Sequence, residues 1–288
     1  MGRNSSCDHL EVWRRAVFLF RKVSSDKIGT FYKIGIDKCV IEHSIGKGIG
    51  ESPDIIGWSS KSAEDHYIIG EVTCNPEPDN KKRGQLIGYL NIDPDSLRNI
   101  GIQSSNTPIV VLLTRHHLEN YSDFPQIVLG EKLNAENLDL IGWTELRNAV
   151  QNDIGMDLSR LPELSFTLLP EFHYIRPNIV DSIMEMMTPR QESFTAVDVA
   201  KEAMESIYEI VDSVARKETI DRVYMDMKGL VKNQMKDYLI ESNGVFSFTD
   251  KGKKARDNPK GREKIEFILR SWASKKQVRL DDFNDSGE

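Results

Sequence analysis

At 288 residues, with 39% hydrophobic side chains, the chain is long enough for one large domain or two ordinary ones with buried cores. Its longest apolar runs, such as 109–113, are far too short to span a bilayer, and its 3 cysteines show no CxxC spacing, which argues against a membrane helix, a disulfide framework or a zinc knuckle. The formal charge of −7 hides an asymmetry: 14 Lys+Arg stand against 6 Asp+Glu from Lys228 to Arg279, and 24 against 35 before Lys228. An acidic body with a basic appendage suits a polyanion partner held at one end.

The first residues, MGRNSSCDHLEVWRR, lack the apolar core and cleavage site of a signal peptide, and with scattered cysteines a reducing, cytoplasmic setting is expected. Leu10, Trp13, Val17 and Phe20 recur at helical spacing and predict a first amphipathic helix. FYKIGIDKCVIEHSI alternates and predicts a strand or hairpin; Pro53–Trp58 and His66–Cys74 follow as short β runs. GKGIGES (46–52) lacks phosphate-loop spacing and reads as a flexible turn. After the loop NPEPDN, KKRGQLIGYLNI predicts a helix, TPIVVLLTR and FPQIVLG two strands, and a further helix starts near Thr144. Strands alternating with helices give an α/β domain over 1–155, with 156–170 as linker. From 171 to 280 the pattern is mostly helical. It holds Thr195 as a capping candidate, a long helix around 219–239, an Asn243-Gly244 turn and then FSFTDKGKKAR. The tail 281–288 is expected to be disordered.

Two carboxylates carry the chemistry. Asp54 heads one β run, and Glu71 sits in the middle of another, inside Ile68-Ile69-Gly70-Glu71-Val72-Thr73. Buried charges are costly unless paired or metal-bound, so two acids brought to one sheet edge invite a hard cation. Mg²⁺ fits best, because it takes one or two carboxylates and keeps waters for a phosphate; Mn²⁺ is its natural substitute.

Pro53-Asp54 with Glu71-Val72-Thr73 resembles the PD-(D/E)xK, or restriction-endonuclease-like, nuclease superfamily, with Thr73 in place of the ExK lysine. Gln85 and Tyr89 resemble the QxxxY motif of RecB-like nucleases, and on a helix this spacing sets both on one face. The resemblance covers about residues 8–150. It implies a mixed-sheet α/β nuclease domain in which Asp54, Glu71 and the Val72 carbonyl hold Mg²⁺ and a phosphodiester is hydrolysed. It also implies Gln85 and Tyr89 facing a groove. Glu51 reads as a further ligand or as an exposed loop acid. Glu11, in the first helix, reads as a metal-proximal acid or as an ordinary solvated helix acid.

The missing lysine leaves three readings open. Lys81 or Lys82 reaches back from the next helix, Thr73 orients a water, or the domain only binds. FSFTDKGKKAR resembles the wing of winged helix-turn-helix domains, which implies DNA contact through the second half. Lys228, Lys232, Lys236, Lys251, Lys253, Lys254 and Arg256 are its candidates, weighed against an ordinary solvated helix face. The expected activity is that of a DNA endonuclease of restriction or defence type, and such nucleases usually work as homodimers. The alternatives are an inactive nuclease-fold regulator that binds DNA and a nuclease of RNA or branched DNA.

Overall fold

The computed structural model describes residues 5–43, 52–60, 66–76, 78, 80–102, 107–159, 161, 175–187 and 191–274. Glu51, most of the glycine run 46–52, most of the expected linker and the tail 281–288 lie outside them. The chain divides into two units, one formed by 1–165 with 209–215 and the other by 166–208 with 216–288. The expected order of two consecutive blocks is thus interrupted, because a short segment of the second half belongs to the first unit.

In the first unit, α1 (Ser5–Leu19) buries Trp13 and Val17 of the expected stripe, with Val12, Ala16, Phe18 and Leu19 beside them; Phe20, just past its end, is also buried, whereas Leu10 is half-buried. The stretch expected to open as a strand instead forms a short helix, α2 (Thr30–Lys33), before β1 (Lys38–Ile41). Two glycines explain the difference: Gly29 enters α2 in an extended conformation, and Gly35, at φ +88°, turns the chain out of it. Between them Phe31 is buried edge-on against Phe20, with ring centroids 4.8 Å apart.

β2 (Ile55–Trp58), β3 (His66–Thr73), β4 (Thr107–Thr114), β5 (Gln126–Leu129) and β6 (Leu133–Glu136) complete a six-stranded mixed sheet in chain order. The pairs β1–β2, β2–β3 and β5–β6 are antiparallel, whereas β3–β4 and β4–β5 are parallel. Between β3 and β4 the chain passes through α3 (Asn80–Leu90), and α4 (Thr144–Asp153) follows β6. Strand β3 is buried along nearly its whole length, as expected of a strand covered on both faces. On one face Ile56, Tyr67, Ile69, Val110 and Leu112 pack with Leu86 and Tyr89 of α3. On the other, Phe20 lies so close to Gly57 that a Cβ there would meet its ring at 2.2 Å. β6 was not foreseen in the sequence. The start of the expected linker also belongs to this unit, since Met156 and Leu158 hydrogen-bond to Leu133 and Glu131.

The second unit contains α5 (Arg176–Met187), β7 (Ser193–Thr195), α6 (Ala196–Met204) and most of α7 (Ser213–Leu230), which runs on through a π turn (Val231–Met235). Then come β8 (Leu239–Ser242), β9 (Val245–Phe248), α8 (Asp250–Arg256) and α9 (Pro259–Ala273), and the three strands pair in the order β7-β9-β8. Thr195 caps α6 through a capping box with Asp198. Asn243 and Gly244, both at positive φ, close the β8–β9 hairpin as a two-residue turn requires. Val223, Met227, Leu230, Val231 and Met235 are all buried, as their spacing predicts, although the helix stops before Leu239, which begins β8.

The Thr-Asp-x-Gly signature has a steric cause. Thr249 caps α8 by accepting from the Gly252 amide at 3.0 Å, and a Cβ on Gly252 would stand 2.1 Å from the Tyr238 carbonyl oxygen. Gly252→Ala is therefore expected to cost about 1–3 kcal/mol through overpacking. The shift in urea midpoint measures it, and an unchanged midpoint would show that the carbonyl moves freely aside. No helix among the described residues is long and apolar enough to cross a membrane.

Candidate functional site

The period-2 alternation of β3 puts Tyr67, Ile69, Glu71 and Thr73 on the face covered by α3. Ile55 pairs with Gly70, Ile56 with Ile69 and Gly57 with Ile68; one further step sets Asp54 opposite Glu71. Residues so opposed have Cβ atoms about 4.5–5.5 Å apart, so the two acids converge. Both are buried, Asp54 at 8% and Glu71 at 1% exposure.

Asp54 sits where β2 begins, after a proline. Its Oδ2 accepts from the Val72 amide at 2.5 Å, while its carbonyl accepts from the Glu42 amide at 3.1 Å. The carboxylate thus takes the place of a main-chain acceptor in the ladder. The N–H and C=O of one strand residue point to the same neighbour, so the Val72 carbonyl faces the Asp54 side too.

A lysine of α3 reaches Glu71. The Lys82 ammonium forms an ion pair with Glu71 Oε1 from the third position of that helix. Glu71 Oε2 is buried and has no hydrogen-bond partner. A buried carboxylate oxygen left in that state carries a desolvation cost. Among the described residues no group of three or more His, Cys, Asp or Glu side chains gathers in a metal-binding arrangement. The available donors are therefore two carboxylates and a main-chain carbonyl, all oxygen. That set suits Mg²⁺, which takes one or two carboxylates and retains water, better than a cation needing an all-protein cage. The Glu71 oxygen without a partner is the donor that such a cation would complete.

The other candidates divide. Thr73 is buried, and its hydroxyl accepts from the Asn75 amide at 3.3 Å, which shapes the chain as it leaves β3. Tyr89 does not face a groove: it is fully buried, and its hydroxyl donates to the Ser52 carbonyl at 3.2 Å, two residues before Asp54. Gln85, one turn earlier, is half-buried. Lys81 is exposed. The Glu11 carboxylate is engaged on its own helix by Arg14 at 2.9 Å and Arg15 at 3.7 Å. Burial pushes the Cys39 thiol up to about 11, so it offers no thiolate nucleophile at neutral pH.

Compared with protein-family models, curated proteins and solved structures, the chain matches none.

In the second unit, Lys228, Lys232 and Lys236 are exposed at successive four-residue steps along α7 and its continuation, and Lys254 is exposed on α8. Lys251 is held by Asp237 at 2.7 Å and Lys253 by Glu192 at 3.3 Å. The Asp237 hydrogen bond raises the Lys251 pKa, so that ammonium is charged but already paired. Arg256 does not belong to the basic surface. It is 4% exposed, donates to the Gln191 carbonyl at 2.8 Å and to Asp257 at 3.0 Å, and lies against the Phe248 ring. Its charge was legible in the sequence, but its burial was not.

Sequence reasoning passed over Glu42 and read the histidines as surface residues, whereas His43 is buried at 3% exposure. Glu42 is the residue whose amide supports Asp54, and it adopts a left-handed φ of 57°. No local pattern marks either residue, because their partners are remote in the chain.

Proposed function

We propose that the chain is a metal-dependent deoxyribonuclease of the restriction-endonuclease-like kind, with Mg²⁺ as cofactor and Mn²⁺ as substitute. Its second unit acts as a winged helix that positions DNA. The observation that carries the reading is the ion pair of Lys82 with Glu71 beside Asp54, which restores the acid–acid–lysine set in the absence of an ExK lysine.

Asp54, Glu71 and the Val72 carbonyl would hold the cation. When bound, it supplies a Lewis acid for a phosphoryl oxygen. The chain's own residues do the rest. Val72 N–H fixes the Asp54 carboxylate, and Tyr89 holds the turn before it through Ser52. The Lys82 ammonium stands at the edge of the Glu71 carboxylate, where it can donate to a phosphate oxygen as negative charge develops there. In the hydrolysis, water adds to phosphorus, the P–O bond to the leaving oxygen breaks, and that oxygen takes up a proton. The winged-helix reading rests on the order α5-β7-α6-α7-β8-turn-β9 with strands paired β7-β9-β8, and on exposed Lys228, Lys232, Lys236 and Lys254. Contacts of this kind are to phosphates, so binding should weaken steeply with salt.

Supercoiled plasmid incubated with the full chain and Mg²⁺ or Mn²⁺ tests the reading. Nicking by the wild type, lost in Glu71→Ala, is expected. Equal nicking by both proteins, or none by the wild type on duplex DNA, would sink it; cleavage confined to RNA or branched DNA would redirect it to those substrates.

A further inference from the structure

Strand β1 is at the edge of the six-stranded sheet, and an edge strand exposes unpaired main-chain groups unless something covers it. Here the cover comes from 209–215, the segment of the second half of the chain that belongs to the first unit. Ile41 N donates to the Ile210 carbonyl and Asp212 N to the Ile41 carbonyl, each at 2.8 Å, and Val211 forms a parallel bridge with Ile41. Ile41 and Val211 are both buried to 1% exposure or less.

The residues just beyond Ile41 are held by the same segment. Glu42 takes a left-handed conformation, which is uncommon for a side chain of its size and persists only where its surroundings fix it. On one side of it Ile41 is clamped. On the other, His43 is 3% exposed and its Nδ1 lies 2.8 Å from Asp212 Oδ2. A carboxylate only accepts, so Nδ1 carries the proton. The far nitrogen, Nε2, is buried with no hydrogen-bond partner. An imidazole buried for packing alone would gain by replacement with an apolar ring, so the Asp212 bond is the reason for a histidine here. Asp212 Oδ1 also accepts from the Val214 amide at 2.8 Å, in the first turn of α7.

We propose that His43 and Asp212 are positioning residues for Asp54. They fix Glu42 in its left-handed conformation, the Glu42 amide then holds the Asp54 carbonyl, and the Asp54 carboxylate is set on the Val72 amide beside Glu71. The start of α7 and the candidate metal site are thereby joined, within the first unit, by hydrogen bonds and adjacent residues of the chain. The metal-affinity consequence rests on the reading of Asp54 and Glu71 as cation ligands; the positioning itself does not.

The test uses the full chain with two substitutions. Asp212→Ser keeps a good helix cap but is too short to reach His43. Asp212→Asn keeps both contacts, because its oxygen caps Val214 while its amide donates to His43 in the other tautomer. Backbone amide hydrogen exchange is measured without metal, and Mn²⁺ binding by calorimetry. In Asp212→Ser the Glu42 and Val72 amides should exchange at least about tenfold faster, the scale of losing roughly 1.4 kcal/mol of local protection. The Leu112 amide, which donates to Pro125 elsewhere in the sheet, should not change. Asp212→Asn should restore wild-type exchange, and Mn²⁺ affinity should follow the same order. Faster exchange confined to Ile41 and Asp212, or an Asn variant as loose as the Ser variant, overturns the proposal. If Asp212→Ser fails to fold, His43→Phe, which keeps an aromatic ring and breaks the same bond, is read by the same criteria. A wild type that binds no Mn²⁺ while the exchange pattern holds refutes the cation reading and leaves the positioning role standing.

Discussion

Lys82→Met is expected to lower Mg²⁺-dependent DNA cleavage about 10²–10³-fold, the usual scale for removing one preorganised charge-stabilising donor. It should also tighten Mn²⁺ binding. The two effects have opposite signs because Lys82 has two relations to the site. Its ammonium pairs with Glu71 Oε1, so it offsets part of the carboxylate charge that a cation at Oε2 would meet, and beside a bound cation it is a like charge. Methionine keeps the apolar stem while removing the charge. The gain in affinity should be several-fold, well below the bare Coulomb figure of about 4 kcal/mol for unit charges near 4 Å at an effective dielectric of 20, since solvent and the flexible side chain absorb most of it. Plasmid nicking rates and calorimetric Mn²⁺ titration read the two quantities separately. If Lys82→Met loses metal and activity together, as Glu71→Ala should, the lysine is only a structural partner of Glu71. Unchanged cleavage would remove it from the chemistry altogether.

The largest effect on stability is expected from Phe20→Ala, at about 3–5 kcal/mol. Phe20 is 1% exposed, meets Phe31 edge-on and lies over Gly57 in β2. Gly57 has no side chain to fill the space that the lost ring would leave, and Phe31 would lose its aromatic partner. Collapse into the cavity is therefore limited, which puts the cost toward the upper part of the range. Urea unfolding followed by circular dichroism gives the number, with an unchanged m-value showing that the transition is the same. A loss under about 1 kcal/mol would mean that the α1–β2 packing relaxes far more easily than this geometry suggests. Because β2 leads directly from Asp54, the folded fraction of the variant should also bind Mn²⁺ less well.

The convergence of Asp54 and Glu71 was legible because it needs only two facts, the alternation within a strand and a short antiparallel connection between two of them. Lys82 was legible as one of two candidates, since a helix starting soon after β3 brings its first turn back over the strand it follows. Its neighbour Lys81 falls on the exposed side, a choice that helical phase makes and composition does not. Tyr89 shows the limit of spacing arguments. An i, i+4 pair shares a face, but only the packing of α3 on the sheet decides that the tyrosine end of that face is core and not groove. Arg256 shows the same limit for charge, because a basic run gives no sign of which member has a carbonyl and a ring waiting for it. The pairing of 209–215 with β1 had no local signal at all. A single parallel bridge between Ile41 and Val211 leaves neither alternation nor turn residues in the sequence.

That bridge also has a consequence for the order of events during synthesis. Ile41 and Val211 stand about 170 positions apart, which at about 5–20 residues per second is on the order of ten to thirty seconds of translation. Within that interval every other strand of the sheet is made, while the outer margin of β1 still lacks the segment that will cover it. The left-handed Glu42 likewise waits for its support. The nascent first unit therefore spends its early life with one adhesive border and an unfinished acid pair, and the same seven residues complete both.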